Sequence, residues 1–83
     1  MNWKLLVGKR ARKKLQRISD REQFRIKCAL GELTGDPFLG DIKRLEPSGW
    51  RKRVGEYRIF YHLSLKERLT FVTAIERRTS STY

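Results

Sequence analysis

The chain has 83 residues, of which 20 are Lys or Arg and nine are Asp or Glu, for a formal net charge of +11. That length fits one domain over residues 1–83 with a small core, and an aromatic content of 11% argues against a disordered polyelectrolyte. A single cysteine, Cys28, and a single histidine, His62, exclude an intrachain disulfide and the usual zinc sites, which need three or four such ligands.

In chain order, residues 2–7 read as a first strand, closed by Gly8. From Lys9 the pattern turns helical, with Ala11, Leu15 and Ile18 recurring on one face. Between them stand Lys9, Arg10, Arg12, Lys13, Lys14 and Arg17, either a solvated face or a surface for phosphates or an acidic partner. Ser19 followed by Glu22 is a capping box, so a second helix starts near Asp20. Ile26, Ala29, Leu30 and Leu33 form its core stripe with Phe24 alongside, and Cys28 reads as a buried or half-buried thiol. Gly35 suits a left-handed cap, and Pro37 cannot continue the helix. Residues 38–49 read as a loop. Residues 50–54, 57–63 and 69–76 then read as strands, with Gly55-Glu56 as a tight type II′ turn. The expected fold class is α+β: a helical hairpin on one face of an antiparallel sheet, in the order β-α-α-β-β-β.

The turn fixes a register: Val54 opposite Tyr57, Arg53 opposite Arg58, Arg51 opposite Phe60. Opposed residues share a face. One face is Trp50, Lys52, Val54, Tyr57, Ile59, Tyr61 and Leu63, apolar except for Lys52, and is expected to bury against the helices. The other holds Arg51, Arg53, Arg58, Phe60 and His62. Opposed like charges destabilise a sheet by up to about 1 kcal/mol, so an anion visiting this face would offset a real cost; solvent screening, with Glu56 or Glu76 pairing one arginine, is the alternative. A four-residue loop at 65–68 pairs His62 with Phe71 and puts Arg77 on the arginine face, whereas a five-residue loop puts Arg78 there.

The basic residues are spread along the chain, ten with five acidic over residues 1–41 and ten with four over residues 42–83. A polyanion is the expected partner, nucleic acid first, an acidic protein or membrane surface second. No apolar run is long enough to span a bilayer and no secretory signal is evident, so a cytoplasmic setting without a membrane-spanning segment is expected. No carboxylate cluster, Gly-rich phosphate loop or Ser-His-Asp order suggests a metal or cofactor, and none is expected. RNA carries its own nucleophile, the 2′-hydroxyl. Arginines that grip the phosphate and stabilise growing charge, plus a tyrosine whose pKa neighbouring cations depress, suffice for its cleavage. Tyr83, the last residue, is free to fold back to that role.

The stretch from Trp50 to Tyr61, with the terminal Arg77 and Tyr83, resembles the RelE/ParE toxin superfamily, as do Asp36-Pro37-Phe38 and Ile42-Lys43-Arg44-Leu45 upstream. The resemblance spans almost the whole chain. It implies a RelE-like toxin of a type II toxin–antitoxin system, a metal-independent endoribonuclease that cuts messenger RNA in the ribosomal A site. It implies Tyr83 as general base, Arg77 as stabiliser of the phosphorane and Arg58 near the phosphate or leaving oxygen. Arg51 and Arg53 bind phosphate and assist Tyr83, although related toxins often carry lysines there. Lys43, Arg44, Lys9, Arg10, Lys13, Lys14 and Arg78 are the expected further RNA contacts. Implied partners are a cognate antitoxin, forming a toxin–antitoxin hetero-oligomer, and the ribosome with its messenger and ribosomal RNA. A ParE-like inhibitor that binds DNA gyrase without nuclease activity, or a basic RNA-binding module, are the alternatives.

Overall fold

Alternation of apolar and charged residues through the C-terminal half builds a sheet with one dry and one wet face. The structure, a computed structural model, describes residues 3–46 and 49–77. The elements are β1 (Lys4–Val7), α1 (Lys9–Gln16), α2 (Asp20–Gly35), β2 (Ile42–Glu46), β3 (Gly49–Val54), β4 (Tyr57–Ser64) and β5 (Leu69–Arg77). The five strands lie in the order β1-β5-β4-β3-β2. β1 runs parallel to β5, and the other pairings are antiparallel.

The α+β architecture with two helices on a sheet is as the sequence implies. Two features differ. The stretch expected to be loop contains β2, and the sheet is mixed. β2 is an edge strand whose residues are largely exposed, and its ladder shifts register between Arg44 and Glu46. A strand with no fully buried face carries no period-two hydrophobic signal, which is why Ile42–Glu46 reads as loop.

Ala11 and Leu15 of α1 and Ile26, Ala29, Leu30 and Leu33 of α2 pack onto Tyr57, Ile59, Tyr61, Val72 and Ile75 of the sheet. Each large apolar side chain buried there contributes about 1.5–3 kcal/mol. Ser19 caps α2 by accepting from Glu22 N at 3.3 Å. At its other end Gly35 stays helical and Asp36 leaves in an extended conformation, φ −152°, so the left-handed glycine cap does not form. Asp36 stops the helix instead: its carboxylate accepts from Phe38 N at 2.9 Å. Phe24 is 69% exposed and Cys28 is exposed too; both lie off the buried stripe of α2, against expectation. None of the helices described is long and apolar enough to cross a membrane.

The β3–β4 hairpin has the expected register throughout. Gly55 takes the first central turn position at φ +60°, a conformation that a side chain would strain. The β4–β5 connection is the four-residue loop, with Ser64 opposite Leu69 and His62 opposite Phe71. Between Phe60 and Tyr61, however, the register shifts: Tyr61 pairs with Val72 and Phe60 with Ala74, which leaves Thr73 as an extra residue. Beyond this bulge every β5 side chain changes faces.

Candidate functional site

The helices cover one face of the sheet. Lys52 lies on it, 4% exposed, with Nζ donating to Leu39 O at 3.0 Å and paired with Glu32 Oε1 at 3.0 Å. Tyr57 and Tyr61 also lie there. The Tyr57 hydroxyl donates to Glu22 Oε1 at 3.0 Å, and the Tyr61 hydroxyl to Pro37 O at 2.9 Å. Burial, then the Glu22 carboxylate, raises the Tyr57 phenol above its ordinary value; burial pushes Tyr61 up to about 12. Neither phenol is suited to accept a proton at neutral pH.

None of the described helices covers the opposite face. Register places Arg53 opposite Arg58, Arg51 opposite Phe60, and Lys43 opposite Arg51, so Lys43, Arg51, Arg53 and Arg58 share it. Arg53 is held from the side: its backbone N donates to Asp41 O at 2.9 Å, and its Nε is 3.8 Å from Asp41 Oδ2. Arg51 Nε and Arg58 Nε are buried from solvent and have no hydrogen-bond partner among the described residues. An unsatisfied buried donor of this kind costs about 1–3 kcal/mol, more when charged. Two such donors on adjacent strands form a preorganised anion cradle, since phosphoryl oxygens would satisfy both.

Arg77 does not join them. The bulge at Thr73 puts Arg77 opposite Tyr57 and Glu76 opposite Arg58. The expectation that a four-residue loop brings Arg77 to the arginine face fails because the bulge, not the loop, sets parity at this end. Arg77 instead reaches the β3–β4 turn, where Nη2 donates to Glu56 Oε1 at 3.3 Å. It stands at the end of the strands, beside the arginines' end of the sheet. Arg44, opposite Trp50, stacks its guanidinium 5.9 Å from that ring's centroid, on the other face from Lys43.

Arg10, Lys13 and Lys14, with Arg17, line a cleft of about 330 Å³ between α1 and the end of β5. Arg10 meets Glu76 there at 3.5 Å, while Lys9 is exposed at the start of α1. Arg78 and Tyr83 lie outside the described residues. Of the carboxylates beside the arginines the sequence points only to Glu76, which with Glu56 is expected to be able to pair one of them; it stands opposite Arg58 because the bulge turns it to this face. Asp41 and Glu46 carry no such signal, because only β2 and its lead-in bring them beside β3.

No family model matches the chain, and no curated protein matches it. Solved structures do. A chain of the archaeal RelE–RelB complex from Pyrococcus horikoshii superposes with a TM-score of 0.89 at 22% identity, covering 98% of this chain and 100% of that one. The isolated RelE toxin of E. coli gives 0.82 at 21% identity over 95% of this chain and 87% of that one. A YoeB/ParE toxin from Agrobacterium tumefaciens gives 0.75 at 21% identity over 92% and 99%. The strand order, the two helices and the hairpin thus belong to a known architecture: the chain has the fold of the RelE/ParE toxins.

Proposed function

We propose that the chain is the toxin of a type II toxin–antitoxin pair and cleaves messenger RNA in the ribosomal A site without a metal. The observation that carries this reading is the pair of buried Nε groups of Arg51 and Arg58 on one face, which have no hydrogen-bond partner among the described residues, with Arg53 and Lys43 beside them. The fold adds to it, since solved structures of that fold are described as RelE toxins in complex with RelB.

In this reading the scissile phosphate sits across Arg51, Arg53 and Arg58. The 2′-oxygen attacks phosphorus and its proton passes to the Tyr83 phenolate; the bond from phosphorus to the 5′-oxygen breaks, and that oxygen takes a proton from water, giving a 2′,3′-cyclic phosphate and a free 5′-hydroxyl. The guanidiniums stabilise the charge that grows on the non-bridging oxygens. Arg77 would act from the end of the strands. Lys43, Arg44 and Arg78, with Lys9, Arg10, Lys13 and Lys14 of α1, would hold message and ribosomal RNA through phosphates. An acidic antitoxin would neutralise part of the +11 charge.

A second reading is a gyrase-binding toxin without nuclease activity. The placement of Arg77 against Glu56, away from the arginine face, favours it. Inducing the protein in cells and mapping messenger RNA ends alongside gyrase-linked DNA breaks separates the two. Codon-phased RNA cuts that Tyr83→Phe abolishes are expected. DNA breaks with intact messages would replace the nuclease reading with the gyrase one.

A further inference from the structure

On the arginine face, beside the guanidiniums, a cavity of about 250 Å³ is lined by Phe60, His62, Thr73, Glu46 and Glu76, among others. Phe60 is central. Arg58, Phe60 and His62 follow one another along the same side of β4, about 7 Å apart, and Arg51 stands directly across from Phe60. At the His62 end, Gly49 pairs with His62, and Glu46 lies over Gly49. A Cβ added to Gly49 would meet Glu46 Cγ at 2.6 Å and Oε2 at 3.5 Å. The bare backbone of Gly49 is therefore what lets the Glu46 carboxylate lie across β3 at the edge of the cavity.

We propose that this cavity is a nucleobase subsite, with Phe60 as its stacking platform and Glu46 as the acceptor that selects a base carrying an amino group. The proposal rests on reading the arginines as a phosphate site. Charge decides the orientation. Carboxylates at Glu46 and Glu76 repel a phosphate, whereas the arginines attract one, so a bound nucleotide puts its anionic part on Arg51 and Arg58 and its neutral ring in the cavity. Size agrees: the volume lies below the roughly 300–1,000 Å³ of pockets for larger ligands and suits one planar ring system. An aromatic face in such a place stacks an unpaired base.

Glu46 then sets the preference. An ionised carboxylate only accepts hydrogen bonds. The Watson–Crick edge of guanine offers two adjacent N–H donors; adenine and cytosine each offer an amino group; uracil flanks its single N–H with two carbonyl oxygens, which the carboxylate repels. The order of preference is guanine first and uracil last.

The test titrates the full chain, followed by NMR, with 3′-GMP, 3′-UMP and inorganic phosphate. The expected result is 3′-GMP binding at least about tenfold tighter than 3′-UMP, in line with the discrimination of a good bidentate base contact. Glu46→Ala should bring the two affinities within about threefold of each other. Gly49→Ala should do the same with Glu46 still in the chain, because its methyl takes the place of Glu46 Cγ. Equal affinities in the parent chain, or a preference that survives both substitutions, would overturn the base subsite while phosphate binding keeps the arginine site standing. If neither phosphate nor nucleotide binds, the arginine reading falls and the subsite with it.

Discussion

Lys52 and its neighbour Arg51 carry the same charge on consecutive residues of one strand, yet the two faces of the sheet treat them in opposite ways. On the covered face Lys52 is enclosed and its ammonium is answered from within, by the Leu39 carbonyl and the Glu32 carboxylate. On the opposite face the Nε atoms of Arg51 and Arg58 are withdrawn from water and answered by nothing described in the chain. A buried charge with internal partners holds a fold together. A buried donor without one is a cost that folding does not explain and that an incoming anion removes. The difference separates structural cations from binding cations better than charge or sequence position does.

The sharpest way to break this comparison is Arg58→Ala. Removal of one preorganised donor from a transition-state cradle is expected to lower cleavage on programmed ribosomes by about 100-fold or more. The thermal midpoint should hold or rise, because the opposed pair Arg53–Arg58 is relieved. Full cleavage with a lowered midpoint would reverse the assignment of the two faces. Lys52→Ala should do the opposite: a loss of about 1–3 kcal/mol in urea unfolding from the orphaned carbonyl and lost packing, with no loss of phosphate binding at the arginines.

Smaller effects sharpen the same contrast. Tyr61→Phe removes the bond to Pro37 O and should cost about 1 kcal/mol. The raised pKa of Tyr61, about 12, also ties stability to pH. The neutral phenol is favoured in the folded state, so its contribution is complete below about 10, the unfolded value, and is lost as pH climbs through the folded one. Urea unfolding of the parent chain should weaken over that window, and Tyr61→Phe should flatten the decline. The smallest stability change is expected for Arg77→Ala. Its partner Glu56 is solvent-exposed, and such pairs contribute about 0–1 kcal/mol. Cleavage should fall less than for Arg58→Ala, since Arg77 reaches the site only from the strand end. An equal fall would place its guanidinium on the phosphate.

Much of this was legible in the residues themselves. The period-two pattern from Trp50 to Tyr61 separates the two faces, and Gly55-Glu56 fixes the hairpin register because a two-residue turn leaves no slack. The Ser19–Glu22 cap and the Ile26–Leu33 stripe locate α2, since both are local devices. The parts that were not legible are those without a local signal. β2 has no buried face to impose alternation. The bulge at Thr73 leaves the composition of β5 unremarkable, yet it exchanges Arg77 for Glu76 on the arginine face.

The sequence by itself determined the elements of the hairpin, the identity of the dry face and the gathering of Arg51, Arg53 and Arg58 on the wet one, because side-chain alternation about a tight turn is a local geometric necessity. Tertiary structure alone decided the pairing of β1 alongside β5, the edge strand that brings Asp41 and Glu46 to the site, and the parity of the last strand. Those depend on which distant backbone groups find partners, and a single unpaired residue in a ladder is enough to turn every side chain beyond it to the other side.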